Sequence, residues 1–461
     1  MIDMTSPRHV HVVAVGGYAM SAIARYFTQL GHRVTGCDVT DSPMLAALRR
    51  EGIESVLGHD PAHLDDRPDV LSVATAVRRE TPELVRALEA GIPVLSRGET
   101  MAYIVDTKPK VAVVSGTHGK TSTSAMVTHI LDDQRRAPSF FVGGTISAFD
   151  TNARYDPGGE WLIVEGDESD HSFLEVRRDV ALVTNIEADH LDRWDDSFDQ
   201  LVSGFADFID GAATAVVLCV DDPTVAGLAA TRPNSITYGY DDRARVRATA
   251  YRPTANGCEI DVAVAGGSPR TAALQLRGRD MAQNALGAVA MSMELGVDLD
   301  GAVAAMGSFT GVARRFQYRG THNGADCFDD YAHTATEVRT TLARAREGRW
   351  NRVIAVLQPH RYSRIARHGH EFGDALDDAH VVVVAGLDAA FEDPIDGVSS
   401  QTVIDAIRRS RPNAVVVSRP TWSELADIPW TVAEPGDCIV TLGCGSITNV
   451  HADWERESTQ R

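Results

Sequence analysis

The sequence predicts an α/β fold in three domains, each built on a mainly parallel sheet. An apolar run at residues 9–15 leads into Gly16-Gly17 and then into a helical pattern at 20–30, and this order is typical of a doubly wound sheet. The same order of strand, glycine turn and helix recurs from residue 111. At roughly 100–200 residues per domain, a chain of 461 residues also fits two to four domains.

The other elements are short apolar runs, which predict buried strands, separated by helical patterns. A polar stretch at 106–109 marks a linker, and a third α/β block begins near Arg314. Alternating polar and apolar residues across 235–276, with Asn256-Gly257, predict a hairpin excursion. The predicted domains are residues 1–107, 108–313 and 314–461. The predicted strands are 33–37, 70–74, 92–95, 111–115, 161–164, 180–184, 215–220, 353–357, 381–385, 414–418 and 438–442, and further helices are expected at 121–131, 282–295, 337–346 and 401–409.

The composition argues against several classes of protein. Lys and Arg number 44 against 64 Asp and Glu, and a net charge of -20 repels the phosphate backbone of nucleic acid. Six scattered cysteines without a CxxC pair argue against a disulfide framework and against a zinc site. No signal core and no apolar run near the ~20 residues of a bilayer span are present. We therefore expect a cytoplasmic protein without nucleic-acid or membrane partners, either a monomer or a homodimer.

A phosphate-binding loop is the strongest local signal. Residues 115–122 read Ser-Gly-Thr-His-Gly-Lys-Thr-Ser between an apolar strand and a helix, although Val114 replaces the first glycine of the full motif. Main-chain N–H groups at a helix start and the helix dipole favour a bound polyphosphate. Lys120 is expected to reach the β- and γ-phosphates, and the Thr121 hydroxyl to ligate Mg²⁺. The predicted ATP contacts here are Gly116, Thr117, His118, Gly119, Lys120, Thr121 and Ser122.

Acidic residues follow the next two strands of the same domain. One strand ends at Glu165 and continues into an acidic stretch at 166–170, and the other leads to Asp189-His190. Ligands of doubly wound sheets bind beyond the carboxyl ends of the strands, which places these groups at the edge that carries the phosphate loop. A carboxylate and an imidazole there predict a metal clamp on ATP, with Thr121, Glu165 and His190 as its ligands.

Taken together, the motifs are similar to those of the Mur ligase family over residues 12 to 445. They occur in this order: 116–121 (Gly-Thr-His-Gly-Lys-Thr), 165–170 (Glu-Gly-Asp-Glu-Ser-Asp), 185–190 (Asn-Ile-Glu-Ala-Asp-His), 311–316 (Gly-Val-Ala-Arg-Arg-Phe), 329–333 (Asp-Asp-Tyr-Ala-His) and 358–362 (Gln-Pro-His-Arg-Tyr). The resemblance implies an N-terminal Rossmann-like domain for a UDP-sugar, a central P-loop ATPase and a C-terminal Rossmann-like domain that closes over the nucleotide and brings the amino acid.

The resemblance also implies an activity. It is the ATP- and Mg²⁺-dependent joining of UDP-N-acetylmuramate to L-alanine through an acyl phosphate, a step of peptidoglycan precursor synthesis. Small molecules, a UDP-sugar carboxylate and an amino acid, would be its substrates. By resemblance, the catalytic residues are Lys120, His190, Arg315 and His333, the further ATP contacts are Asn284, Arg315 and Asp330, and the substrate-binding residues are Gly16, Gly17, Met20, Ser21, His59 and Arg361.

Three segments depart from the family pattern and keep alternatives open. Ala14 and Ala19 replace glycines of the first loop, Asp280-Met281 replaces His-Asn before a helix, and Thr334 replaces the second histidine of His-His-Pro. The first alternative is a related ligase with another carboxylate or amine, in recycling or specialised metabolism. The second is an ATP-binding homologue that does not catalyse.

Overall fold

The computed structural model describes residues 4, 6–75, 77–390 and 392–460, which form three sheets connected largely through helices. The predicted α/β class with parallel-rich sheets is confirmed. Residue contacts divide the chain into two compact units. One unit comprises the chain up to Ala250 with Ile260–Ala273 and Gln283–Thr310, and the other comprises Tyr251–Glu259, Leu274–Ala282 and the chain from Gly311 onward. Among the helices of the described residues, none combines the length and apolar character that a bilayer crossing requires.

The first sheet is wholly parallel. Its elements are β1 His9–Val13, α1 Tyr18–Gln29, β2 Arg33–Asp38, α2 Pro43–Arg50, β3 Glu54–Leu57, β4 Val70–Val73, α3 Pro82–Ala90, β5 Val94–Ser96 and α4 Arg97–Val105. The strand order is β3-β2-β1-β4-β5. Because the order reverses beside β1, the glycine turn that follows β1 lies at the switch point where such sheets bind ligands.

The second sheet carries the phosphate loop. Its elements are β6 Lys110–Ser115, α5 Lys120–Asp133, β7 Ser139–Ile146, β8 Thr151–Arg154, β9 Trp161–Glu165, α6 Ser172–Glu175, β10 Val180–Val183, α7 Phe198–Asp210, β11 Ala215–Cys219, α8 Pro223–Ala230, β12 Ile236–Gly239, β13 Val246–Pro253, β14 Cys258–Val264, β15 Arg270–Leu274, α9 Arg279–Glu294 and α10 Leu299–Ala305. The order is β15-β14-β13-β12-β11-β10-β6-β9-β7-β8, and β6 pairs in parallel with both β10 and β9. The ends of these three strands therefore meet at one edge, as predicted. The strands β7 and β8 were not predicted from the sequence.

The third sheet is parallel except for an antiparallel hairpin at one edge. Its elements are β16 Gln317–His322, β17 Ala325–Asp330, α11 Ala335–Arg346, β18 Val353–Leu357, α12 Tyr362–His368, α13 Phe372–Ala375, β19 Val381–Ala385, α14 Ser400–Ser410, β20 Val415–Arg419, α15 Trp422–Ala426, α16 Ile428–Thr431, β21 Cys438–Leu442 and α17 Val450–Gln460. The order is β16-β17-β21-β18-β19-β20. Every residue of β18, β19 and β21 is buried, as expected for strands that are covered on both faces.

Candidate functional site

The phosphate loop turns between β6 and α5 at two glycines. Val114 is a fully buried residue of β6 that pairs with Glu165 of β9, so the turn begins only after the strand ends. Gly116 has φ +133°, and a Cβ there would lie 2.1 Å from Oγ1 of Thr184. A side chain at position 116 is therefore excluded by Thr184, and Val114, where the full motif has its first glycine, belongs to the buried part of β6.

Residues that follow β10 hold the loop in shape. The Asn185 side chain accepts a hydrogen bond from the His118 N–H at 2.8 Å and donates one to the His118 carbonyl at 2.9 Å. The Asn185 carbonyl accepts a bond from the Thr117 N–H at 3.0 Å. Nε2 of His118 lies 3.4 Å from a carboxylate oxygen of Glu187. The sequence motif contained Asn185, but its role as the clamp of the loop was not predicted.

Lys120 is held by its own loop and by a buried carboxylate. Its Nζ donates to the carbonyls of Gly116 at 2.6 Å and Thr117 at 3.0 Å, and it lies 2.8 Å from Glu168. Burial raises the pKa of Glu168 to about 7, although Lys120 opposes the shift. Burial by itself would lower the pKa of Lys120, but Glu168 and Asp167 raise it, so the ammonium is fixed as a cation. An anion that enters the loop finds a positive charge already in place.

The Glu168→Gln variant is expected to change how stability depends on pH. The folded pKa of about 7 lies above the ordinary value of 4.5, so this group's contribution to stability is full below pH 4.5 and is lost as pH rises through about 7. Glutamine does not titrate, so only the wild type loses this stability. The melting temperature of the wild type minus that of the variant should therefore decrease as pH rises from about 5 to 8. Thermal denaturation tests this, with the exposed Glu160→Gln as control. A difference that is constant with pH would contradict the raised pKa.

The two oxygen ligands predicted for a metal ion lie side by side. Oγ1 of Thr121 donates to Oε1 of Glu165 at 2.9 Å, and the N–H of Gly143 donates to Oε2 of Glu165 at 2.6 Å. His190 follows β10 with a left-handed φ of 53°, and its Nε2 lies 3.8 Å from Asp189. The structure thus brings Thr121 and Glu165 together, whereas the described contacts of the His190 ring are with Asp189.

Asn284 reaches the phosphate loop from α9. Its side chain is buried, and a Cβ on Gly119 would lie 2.5 Å from its Oδ1. Gly119 has φ +83° at the start of α5, so both conformation and space require glycine there. The resemblance placed Asn284 at the nucleotide, and the structure places it against the loop predicted to hold the nucleotide.

Arg97, at the start of α4, joins the first sheet to the acidic stretch after β9. Its guanidinium lies 3.1 Å from Asp167 and 2.5 Å from Asp170, and it donates to the Ser172 hydroxyl at 3.0 Å. Burial would raise the pKa of Asp167, but Arg97 and Lys120 outweigh it and lower that pKa to about 2. Arg97 therefore fixes the segment that carries Glu168, a function that the sequence did not reveal.

The glycine turn after β1 is organised by Asp38. Its carboxylate accepts hydrogen bonds from the N–H groups of Gly16 and Thr40, both at 2.9 Å. Gly17 is exposed and precedes α1. Of the other predicted substrate residues in this turn, Met20 packs in the hydrophobic core, and the buried Ser21 hydroxyl donates to the Tyr18 carbonyl at 2.8 Å. His59 is also a predicted substrate residue, and its Nδ1 lies 3.1 Å from Oε2 of Glu83.

In the second unit, Arg315 and Asp330 are neighbours. The Arg315 guanidinium lies 5.1 Å from the centre of the Tyr331 ring. Asp330 is buried and accepts hydrogen bonds from the N–H groups of Phe316 at 2.7 Å and Ala332 at 2.9 Å. Burial raises the pKa of Asp330, while Arg344 and Arg315 oppose the shift. Asp330 thereby shapes the turn that displays Arg315.

His333 and Arg361 also lie in this unit. Nδ1 of His333 lies 3.0 Å from the Tyr331 carbonyl and 3.2 Å from Glu337. Its ring centre is 6.4 Å from that of His360, the residue before Arg361. Arg361 is exposed, with a left-handed φ of 66°, and its N–H donates to the Asp388 carbonyl at 2.8 Å. The two predicted residues are thus brought near each other by His360.

Three domains of one protein family match consecutive parts of the chain. The Mur ligase family catalytic domain matches residues 9–109, the Mur ligase middle domain matches 114–292, and the Mur ligase glutamate ligase domain matches 314–445. The chain belongs to the Mur ligase family. The predicted membership is confirmed, and because Mur ligases are ATP-dependent ligases, so is the prediction of ATP as the nucleotide.

Named Mur ligases resemble the chain along nearly its whole length. The UDP-N-acetylmuramate–L-alanine ligase of Mesorhizobium japonicum is 40% identical over 450 residues, 95% of each protein. That of Brucella anthropi is 38% identical over 449 residues, again 95% of each. The crystal structure of UDP-N-acetylmuramate-alanine ligase from Thermotoga maritima has a TM-score of 0.85 at 26% identity, covering 98% of this chain and 100% of that one. A murein peptide ligase from Psychrobacter arcticus, at 22% identity and TM-score 0.74, shares the fold over 97% and 98% of the two chains.

Two departures from the Mur ligase pattern have a structural explanation in the second unit. Asp280 forms an ion pair with Arg344, a buried residue that also lies 3.4 Å from Asp330. Thr334 caps α11, because its hydroxyl accepts the Glu337 N–H while the Glu337 side chain accepts the Thr334 N–H. Both replacements therefore serve local stability.

In the loop after β1, where the Mur ligase pattern has glycines, Ala14 keeps a backbone conformation that favours glycine. Ala14 keeps a left-handed φ of 61°, which costs an alanine about 1 kcal/mol, and its carbonyl accepts the Gly17 N–H at 3.2 Å. Ala19 lies inside α1, where alanine is favoured over glycine.

Proposed function

We propose that the protein joins UDP-N-acetylmuramate to L-alanine at the expense of ATP, in peptidoglycan precursor synthesis and thereby in cell-wall biogenesis, cell shape and cell division. The whole-length identity of 38–40% to ligases of that name supports the substrates. The loop at 116–122, with Lys120 held as a cation beside Glu168, supports the nucleotide chemistry. The observation that carries the proposal is that Glu165 and Asn284 lie against this loop, Glu165 as the hydrogen-bond acceptor of Thr121.

The chemistry follows from the inertness of a carboxylate. An amine alone forms only a salt with it, whereas transfer of the γ-phosphoryl group gives an acyl phosphate with a good leaving group. The amino acid then attacks the acyl carbon, the amine loses a proton, and phosphate departs. Lys120 and the loop N–H groups stabilise the charge of the transferred phosphoryl group. Arg315 and His333 are proposed to act on the reacting groups, and Arg361 to bind substrate.

Mg²⁺ is proposed as the accompanying ion. Thr121 and Glu165 offer a hydroxyl and a carboxylate oxygen within 2.9 Å of each other, the donor types that Mg²⁺ prefers, and His190 is proposed as a further ligand. When bound, the ion neutralises phosphate charge. The Gly143 N–H fixes the second oxygen of Glu165, so that the carboxylate is oriented before any ion arrives.

The first sheet is proposed to bind the UDP-sugar. The turn after β1, with Gly16, Gly17, Met20 and Ser21, lies at the switch point, and His59 follows β3. Because Met20 and Ser21 are buried, their contribution would be to hold the turn rather than to contact substrate through their side chains.

We also propose a cytoplasmic monomer or homodimer whose partners are small molecules and not nucleic acid. Its proposed domains are residues 1–107, 108–313 and 314–461.

The deciding experiment measures phosphate release from ATP with UDP-N-acetylmuramate and a panel of amino acids. We expect release that requires both substrates and is fastest with L-alanine. A preference for a preformed peptide as the amine would establish the recycling alternative, and a preference for another carboxylate would establish the specialised one. ATP binding without amine-stimulated release would identify a homologue that does not catalyse.

A further inference from the structure

A cluster of five metal-ligating side chains lies in the first sheet, and the proposed ATP chemistry does not use it. We call it the Cys37 cluster. It comprises His11 of β1, Cys37 of β2, His59 and His63 from the segment after β3, and Glu83 of α3. Sγ of Cys37 lies 3.3 Å from Oε1 of Glu83 and 3.6 Å from Nδ1 of His59.

Glu83 is the centre of the Cys37 cluster. Its Oε1 lies 2.7 Å from Nδ1 of His63, and its Oε2 lies 3.1 Å from Nδ1 of His59. One ligand atom each of Cys37, His59 and Glu83 lie within 4.8 Å of one another, and the same holds for His11, Cys37 and His63. The two triads share only the Cys37 sulfur, and the triad of Cys37, His59 and Glu83 offers a single ion three ligands.

The cluster contains buried polar atoms that lack hydrogen-bond partners. Cys37 and Glu83 are fully buried, and His11 is 2% exposed. Nδ1 of His11 lies 2.8 Å from the Thr35 hydroxyl, but its Nε2 has no hydrogen-bond partner. Oε2 of Glu83 likewise accepts no hydrogen bond, although Nδ1 of His59 faces it. Buried polar atoms without partners are costly, and an ion bound by Cys37, His59 and Glu83 would satisfy the Glu83 oxygen.

We propose that the Cys37 cluster binds one divalent cation of the Zn²⁺ class. Zinc bonds of about 2.3 Å to sulfur and 2.0–2.1 Å to nitrogen or oxygen give tetrahedral edges of about 3.6 Å between sulfur and nitrogen and about 3.3 Å between nitrogen and oxygen. The observed separations are 3.6 Å for Cys37 to His59 and 3.1 Å for His59 to Glu83, so little movement is needed. A mixed sulfur, nitrogen and oxygen set favours Zn²⁺ over Mg²⁺.

The charges of the site also balance. On binding, the Cys37 thiol releases its proton to solvent, and the thiolate and the Glu83 carboxylate together neutralise the two positive charges, while His59 binds as a neutral ring. Because the three ligands come from β2, the segment after β3 and α3, the ion would hold that segment and α3 to the sheet. The cluster uses Nδ1 of His59, so a substrate contact through Nε2 of the same ring remains compatible with it.

The test uses Co²⁺ as a spectroscopic probe on the full-length chain, freed of metal by a chelator and kept reduced. We expect a thiolate-to-cobalt charge-transfer band that saturates at one equivalent in wild type and is bleached by Zn²⁺. Oxygen ligands such as Thr121 and Glu165 cannot give this band, so binding at the proposed Mg²⁺ site does not mimic it. Zn²⁺ at one equivalent should also raise the melting temperature of wild type.

Variants locate the ion. Cys37→Ser should lose the band and the thermal shift, whereas the control Cys327→Ser, at another buried strand cysteine, should keep both. His59→Asn, at a partly exposed position, should weaken Co²⁺ binding at least tenfold and so provides a second test if Cys37→Ser fails to fold. The absence of the band from folded, reduced wild type, its persistence in Cys37→Ser, or unchanged affinity in His59→Asn would each overturn the proposal.

Discussion

Replacing Lys120 with methionine is expected to lower the rate of ATP-dependent amide formation by about 10³-fold, the cost of losing one preorganised charge at a phosphoryl transition state. Methionine retains much of the stem but removes the ammonium that lies 2.8 Å from Glu168. The fold should survive, because burial already raises the pKa of Glu168 to about 7 and the carboxyl can take a proton once its partner is gone. The loss should therefore appear in turnover rather than in folding.

The matched control is Lys110→Met. Lys110 lies at the start of β6, the strand that leads into the loop; it is 47% exposed and pairs with Glu160 at the surface, so its removal should leave turnover and stability nearly unchanged. Phosphate release under saturating substrates and thermal denaturation would be measured for both variants. Turnover like that of wild type in Lys120→Met would refute the assignment of the loop.

The sequence predicted those parts of the site that depend on local order along the chain. Strand, turn and helix at the phosphate loop follow from the burial of Val114 and the positions of two glycines, and the structure has them there. Glu165 at the end of β9 was expected beside Thr121 because neighbouring parallel strands end at one edge, and their side chains are hydrogen-bonded. In both cases, neighbours in sequence or adjacent strands determine the geometry.

Contacts between distant segments were not predictable in the same way. Asn185 clamps His118 across 67 residues, and Arg97 reaches Asp167 across 70. Nothing in the local pattern marks Arg97, since an arginine at a helix start is common at surfaces. The motif at 185–190 contains Asn185 but does not show which segment its side chain contacts. The Cys37 cluster shows the same limit, because its ligands come singly from separate segments and form no spaced motif.

The replacements at family positions also illustrate what sequence comparison leaves open. Asp280 stands where the family pattern has histidine, and it pairs with the buried Arg344, so the replacement has a structural use. Ala14 was read as a change of the glycine loop, yet it keeps the left-handed conformation. The same substitution can reflect the loss of a ligand contact or the gain of a packing contact. Only the neighbours of the residue in the structure distinguish the two explanations.

Arg97→Met is expected to be the most destabilising single change at the site, by about 3–5 kcal/mol, the cost of removing one partner of a buried ion pair. Only 17% of the Arg97 side chain is exposed, and the variant would leave Asp167 and Asp170 facing each other without the guanidinium that pairs with both. The effect should extend to turnover, because the same segment carries Glu168, which orients Lys120. Melting temperature and phosphate release should therefore fall together.

A rescue experiment separates charge from packing in that result. If uncompensated carboxylates cause the loss, then Asp167→Asn and Asp170→Asn in the Arg97→Met background should restore much of the melting temperature, since the buried charges are removed with their partner. Arg86→Met is the control, because Arg86 is 46% exposed and lies 3.5 Å from an exposed Asp65. If the triple variant melts no higher than Arg97→Met, the guanidinium acts through its packing and its bond to Ser172, and the electrostatic account of this junction is wrong. Recovery of stability without recovery of turnover would show that turnover needs the charged groups of this junction and not only the fold, because Asp167 also acts on Lys120.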